Sequence, residues 1–328
     1  MIKFAKERVN LICNQLKGWS IVQKVHLDSM RVKEGCFITP TEADAAPGEW
    51  KNFDMGKDHW YGPDRHYWFR TEVTVPESFD GKELWLRIHT GLNDWDDGRN
   101  PQFLLFINGQ VIQGLDINHR EVFVKANAKA GETFRMDLQS YTGTLHDEFH
   151  LIVDLEEHDR KLRKAYYDIA VPMYGLNRMK EDDKIRLDLE TALTDTINLL
   201  DLRMPYSKEF YASVEAAEAH VQEAIYEKMG GYDEVIATCI GHTHIDVAWL
   251  WQLKHTREKA ARTFSTMCTL MEQYPEFTFI QSQPQLYDYI KTDYPDIYER
   301  IQKTVKSGNW EPNGAMWVEA DCNISSGE

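Results

Sequence analysis

Cysteine is scarce. The chain has five in 328 residues (Cys13, Cys36, Cys239, Cys268 and Cys322), with no CxxC pair among them. An odd, scattered set argues against a disulfide framework or a thiolate zinc site and points to a reducing compartment. Long apolar runs are missing as well: no stretch approaches the ~18 consecutive apolar residues of a membrane span. Lys3, Lys6, Glu7 and Arg8 interrupt the N-terminus where a signal peptide would carry its hydrophobic core. Basic residues are outnumbered, 37 Lys and Arg facing 53 Asp and Glu for a formal net charge of −16. Nucleic acid and acidic membrane surfaces select basic faces, so neither is an expected partner. The expectation is a soluble cytoplasmic protein.

What is present reads as ordinary globular composition, 42% hydrophobic and 27% charged, which excludes a disordered or collagen-like chain. At roughly 100–200 residues per domain the length predicts two or three domains. Residues 1–45 read as a short amphipathic helix followed by irregular structure. From there to 155 the period is two. In HYWFRTEVTV, Tyr67, Phe69, Thr71, Val73 and Val75 alternate with Trp68, Arg70, Glu72 and Thr74, a half-buried strand. Leu84, Leu86 and Ile88 repeat the pattern, and Asn108-Gly109 between two apolar runs is a strong hairpin signal, because both turn positions want positive φ. Further short strands at 122–124, 134–138 and 150–155 complete an antiparallel, jelly-roll-like β-sandwich over 46–155. Asp94, Asp96 and Asp97 precede Gly98 like a calcium loop, but Trp95 breaks the alternation of oxygen ligands, so the segment reads as an acidic solvated turn.

Residues 156–232 return to a 3.6 period. One stripe is Ile185, Leu189, Leu193, Ile197 and Leu200; the next is Val214, Ala217, Val221 and Ile225, closed at Gly230-Gly231. The expectation is a helical hairpin between two domains. From 233 the pattern is strand, loop, helix, repeated. VIATCI (235–240) and FTFIQ (277–281) read as buried parallel strands, with a third near 315–319. Between them lie one helix with Thr256 as its N-cap and Ala260, Phe264, Met267 and Met271 inside, and another from Pro284 to Gly308. Such units build an open doubly wound sheet or a barrel, and in both the chemistry sits at the C-terminal strand ends.

At those ends stand GHTHIDVAWLW, SQPQ and WVEADCN. Residues i and i+2 of an extended segment point to one side, so His244 and Asp246, or His242 with His244, can grip one divalent ion; a nitrogen-plus-oxygen set suits zinc. The HTHID string also fits parts of two other metal hydrolase patterns. Metallo-β-lactamase-type enzymes use His-x-His-x-Asp-His, with Val247 here at the final His, and amidohydrolases use His-x-His on a first barrel strand. Glu319 and Asp321 lie too close together for a retaining acid/base pair, ~5–5.5 Å apart, and read as subsite-lining or ion-paired groups. Gln283 and Trp317 are further subsite candidates, and Arg257, Glu258, Lys259 and Arg262 read as a helix surface.

Taken together, GHTHIDVAWLW, REKAARTFST, SQPQLYDYIK and NWEPNGAMWVEADCN resemble the opening of the catalytic domain of glycoside hydrolase family 38 α-mannosidases, in the intracellular and bacterial branch. The likeness covers about 234–328. It implies a (β/α)7 barrel, a bound zinc ion, and retaining hydrolysis of α-linked mannose from oligosaccharides. Carried over, the second His and first Asp of the family string make His244 and Asp246 the zinc ligands and Trp249 a wall of the mannose subsite, with Trp317 and Asp321 as weaker substrate-binding positions. Ile245, Val247 and Ala248 depart from the family string without removing a ligand, and His242 takes an orienting role. The family's nucleophile, a Pro-Asp-x-Phe-Gly aspartate, has no counterpart in this chain. The resemblance therefore implies an N-terminal part of the enzyme, inactive alone, with 233–328 as the first part of a truncated barrel. Exposed strand edges of such a barrel would favour self-association, so a homo-oligomer is compatible with the sequence. The alternative is a metal-dependent amidohydrolase or carbohydrate deacetylase built on His242, His244 and Asp246.

Overall fold

A computed structural model describes residues 4–93, 100–229, 237–314 and 316–319. The acidic Asp94–Gly98 turn, the Gly230-Gly231 helix end and Asp321 lie outside the described residues. The chain opens with helix α1 (Ala5–Trp19), strands β1 (Ile21–His26) and β2 (Ser29–Glu34), helix α2 (Pro40–Ala45) and strand β3 (Lys51–Asp54). There follow β4 (Trp60–Tyr61), β5 (His66–Thr74), β6 (Leu84–His89), β7 (Gln102–Ile107) and β8 (Gln110–Leu115). Next come β9 (Glu121–Lys125), β10 (Thr133–Tyr141), β11 (Glu148–Phe149) and β12 (Ile152–His158), then helices α3 (Arg160–Leu176), α4 (Lys184–Asn198) and α5 (Lys208–Val221). The last part holds β13 (Gly241–His242), α6 (Leu253–Gln273), β14 (Phe279–Ile280), α7 (Pro284–Asp293), α8 (Pro295–Ser307) and β15 (Trp310–Glu311).

Two compact units result, Val25–Leu155 with Thr238–Glu328 and Met1–Lys24 with Glu156–Ala237. In the first, neighbouring strands β6 and β9, with residues 152–155 of β12 beside β6, face a six-stranded sheet in the order β3-β2-β5-β10-β7-β8. Inward side chains lie in register: Leu138 opposes Phe69 on one side and Leu105 on the other, and all three are fully buried. With Leu86, Val122 and Val153 from the opposite sheet they form one apolar cluster. The Asn108-Gly109 hairpin forms as read, with φ of 50° and 83°.

The expected irregular segment up to residue 45 contains two strands instead. β2 finds its partners, β3 and β5, further along the chain, so its local pattern says little. The half-buried reading of β5 is also corrected. Trp68, on the face expected to be solvated, is 0% exposed. It packs with Leu104 and Phe106 against Ala260, Ala261, Phe264 and Cys268 of α6. The six-stranded sheet is therefore covered on both faces.

Three two-residue parallel strands, in the order β13-β14-β15, carry the last part. The first lies at Gly241–His242, and residues 237–240 of the expected strand are exposed and outside it. The third lies at Trp310–Glu311, directly after the left-handed Gly308 (φ 84°), not near 315–319. Pro295, which cannot donate to a continuing helix, divides the expected single helix into α7 and α8. Helix α6 begins at Leu253, three residues before the expected cap. Gln252 caps it reciprocally with His255, which frees Thr256 for another partner.

The second unit is helical. Val9, Cys13 and Leu16 of α1 pack with Leu162 and Ile169 of α3, Leu193 and Ile197 of α4, and Phe210 and Val214 of α5. Three helices thus stand where a hairpin is expected, and the N-terminal helix joins them. Asp159, Asp183 and Ser207 each cap a helix by accepting a backbone N–H. Ile185 of the predicted stripe remains exposed. Among the described residues no helix is long and apolar enough to cross a membrane.

Candidate metal and sugar site

The segment leaving β13 carries His244 and Asp246 on one side, as their spacing requires. His244 Nε2 lies 3.1 Å from Asp246 Oδ1. The other ring nitrogen, Nδ1, lies 2.5 Å from Glu319 Oε2. Glu319 Oε1 accepts a hydrogen bond from the Ser282 hydroxyl and faces His242 Nε2 across 3.8 Å. Three strand ends thus converge: His244 follows β13, Ser282 follows β14 and Glu319 follows β15.

Burial alone would lower the His244 pKa, but its hydrogen bonds to Asp246 and Glu319 outweigh that and hold it above the ordinary histidine value. Glu319 is pushed the opposite way. Desolvation raises its pKa, and hydrogen bonds from Ser282 and His244 more than offset this, leaving the carboxyl below the usual range.

Two buried glutamines hold the backbone of the loop. Gln281 Nε2 donates to Thr243 O at 2.7 Å and Gln283 Nε2 to Ile245 O at 3.0 Å, so the carbonyls on either side of His244 are both gripped. Gln283 is 1% exposed; its place is under the loop, not at the rim where sequence reasoning put it. Gln281 was not singled out at all. The Asp246 carbonyl accepts from Trp251 Nε1 at 3.1 Å and from the Thr256 hydroxyl at 3.3 Å, the use to which the freed Thr256 is put.

Trp249 is 63% exposed and meets Trp251 edge to face, ring centroids 5.3 Å apart. Lys259 lies 4.3 Å over the Trp251 ring. His244, Trp249 and Trp251 line a cavity of about 390 Å³, with Asp116 and His119 of the β8–β9 loop on another wall. Trp317 is exposed and donates from Nε1 to Gln285 Oε1 at 2.7 Å. The helix surface expected at 257–262 is half wrong. Arg257 pairs with Asp293, but Glu258 and Arg262 are buried, Glu258 2.8 Å from His66 and 3.8 Å from Arg262.

The His244–Asp246 pair fits a divalent ion. Nitrogen and oxygen ligands at ~2.0–2.2 Å from one zinc stand ~3.0–3.4 Å apart, and the observed separation is 3.1 Å. A second group of donors, Cys36, His66 and Glu258, is also within reach of one ion. There, however, the buried Arg262 guanidinium already faces the Glu258 carboxylate, so that group reads as a buried ion pair.

Residues 234–328 match the family model described as "Glycosyl hydrolases family 38 N-terminal domain". The chain is 31% identical over 308 residues to alpha-mannosidase G of Dictyostelium discoideum, an alignment covering 87% of this chain and 27% of that protein. It is 28% identical to human alpha-mannosidase 2C1, over 80% of this chain and 25% of the relative. A Saccharomyces cerevisiae alpha-mannosidase is 37% identical over 107 residues, 32% of this chain and 10% of its own length. The chain thus spans about a quarter of the first two relatives.

Proposed function

We propose, for a chain that belongs to glycosyl hydrolase family 38, that it contributes the sugar-binding and metal-binding face of a zinc-dependent retaining α-mannosidase acting on oligosaccharides in the cytoplasm. The observation that carries this reading is the His244–Asp246 pair at 3.1 Å, at the C-terminal end of a parallel strand. His244 and Asp246 would hold zinc, which supplies a Lewis acid to which sugar hydroxyls can attach. Trp249, exposed beside them, offers an apolar face on which a pyranose ring can rest. Trp317 and Asp321 are proposed as further substrate contacts. Gln281, Gln283 and Thr256 fix the loop, so that the ligand pair does not have to order itself when substrate arrives. The described cysteines are free, which suits the reducing cytoplasm.

The test is hydrolysis of an aryl α-mannoside by the full-length protein. A chelator and His244→Ala are each expected to lower kcat/KM by at least ~100-fold, as loss of a metal or its ligand does. Undiminished turnover by protein shown to contain no metal would overturn the zinc role.

A further inference from the structure

The partner on the far side of His244 has no role in the reading above. Glu319 lies 75 residues away in sequence, yet its Oε2 approaches Nδ1 at 2.5 Å, the shorter of the two contacts the ring makes with carboxylates. Its second oxygen is tied to the Ser282 hydroxyl, and Ser282 N donates to Gln281 Oε1 at 2.8 Å. The carboxylate is therefore fixed from behind by the same strand end whose Gln281 grips Thr243.

A neutral imidazole carries one N–H. Given to Glu319 at Nδ1, it leaves at Nε2 a lone pair directed toward Asp246 Oδ1. Without metal a proton between them serves, which is the hydrogen bond seen across 3.1 Å; a bound cation takes that proton's place while Nδ1–H stays on Glu319. Metal-ligating histidines as a class donate their second N–H to a carboxylate, carbonyl or water, which sets tautomer and ring orientation and raises ligand basicity.

We infer that Glu319 is a positioning residue for the metal-binding histidine: anchored by Ser282, it fixes the His244 ring so that Nε2 is presented beside Asp246. This rests on the metal site proposed above. It assigns Glu319 to neither the sugar subsite nor the acid/base pair, the two roles its place at a strand end invites.

The experiment is zinc affinity of the metal-stripped full-length protein, measured by competition with a chromophoric chelator. It is paired with the visible spectrum of the cobalt-substituted form and with urea unfolding in the absence of metal. Glu319→Ala is expected to weaken zinc 10–100-fold, the usual effect of losing an outer partner of a ligand. Glu319→Gln keeps an oxygen that accepts from Nδ1–H, so it should recover most of the affinity while shifting the cobalt absorption. Ser282→Ala, which leaves the carboxylate in place but unanchored, should fall between parent and Glu319→Ala and keeps the test available if the latter unfolds. Glu319→Ala with parental zinc affinity and a raised KM would overturn the inference in favour of a subsite role. Equal loss in Glu319→Ala and Glu319→Gln would also overturn it, by making Glu319 a ligand in its own right. His244→Ala serves as the reference: if that variant still binds zinc stoichiometrically, the proposed metal site is what has failed.

Discussion

Adding one methyl group at Gly114 should separate helix α6 from the sheet beneath it. A Cβ built there would lie 2.5 Å from Arg262 Cβ, 2.6 Å from Arg262 Cα and 2.7 Å from Arg262 O. Carbon pairs rest ~3.5–4.0 Å apart, so α6 must retreat by about 1 Å, and because two of the three atoms are backbone no side-chain rotation relieves the contact. Overpacking costs about 1–3 kcal/mol where side chains can yield; a backbone collision belongs at the upper end. The same displacement stretches the bonds from Thr266 to Gly114 O and from Thr269 to Ile112 O, now 3.2 and 3.0 Å, each contributing about 1 kcal/mol. Gly114→Ala is therefore expected to lose about 3–5 kcal/mol, a large part of a typical domain's stability. Urea unfolding followed by tryptophan fluorescence measures it, with Gly109→Ala as the comparison. At Gly109 the nearest heavy atom to a new Cβ is 3.9 Å away, but φ is 83°, so the cost there is conformational, about 1 kcal/mol. If Gly114→Ala costs no more than Gly109→Ala, α6 is not seated on β8 as described.

Phe264→Ala should cost about 3–5 kcal/mol by the same assay, since Phe264 is fully buried with ring contacts to Trp310 at 5.2 Å and Tyr287 at 5.4 Å; a loss under about 1 kcal/mol would mean the ring lies elsewhere. Glu258 gives a pH signature. Burial raises its pKa, but the His66 hydrogen bond and the charges of His66 and Arg262 outweigh it and hold the carboxyl below the ordinary value. With the folded pKa below the unfolded value of about 4.3, the stabilisation is full above that pH and disappears as pH falls toward the folded pKa. The stability gap between parent and Glu258→Gln should be widest near neutrality and shrink below about pH 4.3; a gap independent of pH contradicts the assignment. Trp249→Ala, at an exposed position, should leave unfolding within about 0.5 kcal/mol of the parent while raising KM for α-mannosides. An unchanged KM would remove Trp249 from the sugar face.

Where partners are adjacent in sequence, the fold was legible. Asn108-Gly109 demands positive φ at two positions whatever surrounds it, and the turn forms as read. Trp68 shows the opposite case. Its alternation with Phe69 is that of any strand with one wet face, and only the arrival of α6, some 190 residues later, dries the second face. Parallel strands of two residues, such as β13 and β15, are shorter than the period-two pattern needs to be recognised. Their positions are set by pairing with β14; β13 follows directly on the run 235–240 that reads as a strand, and β15 precedes the expected 315–319 by several residues.

The site divides along the same line. His244 and Asp246 are two apart on an extended segment, so backbone geometry alone brings Nε2 and Oδ1 together, and the pair is visible in the string HTHID. Nothing in that string says which way the imidazole turns about its own bonds. That is decided by Glu319, Ser282 and Gln281, which arrive on two other strand ends. The side-by-side placement of His244 and Asp246 can therefore be read from spacing, whereas the contacts that orient the ring depend on the register in which β13, β14 and β15 align. A substitution that slid β15 by one residue would leave HTHID intact and still carry Glu319 away from Nδ1. For that reason the environment of His244 reports on the assembly of the parallel sheet more directly than the fold of either neighbouring segment does.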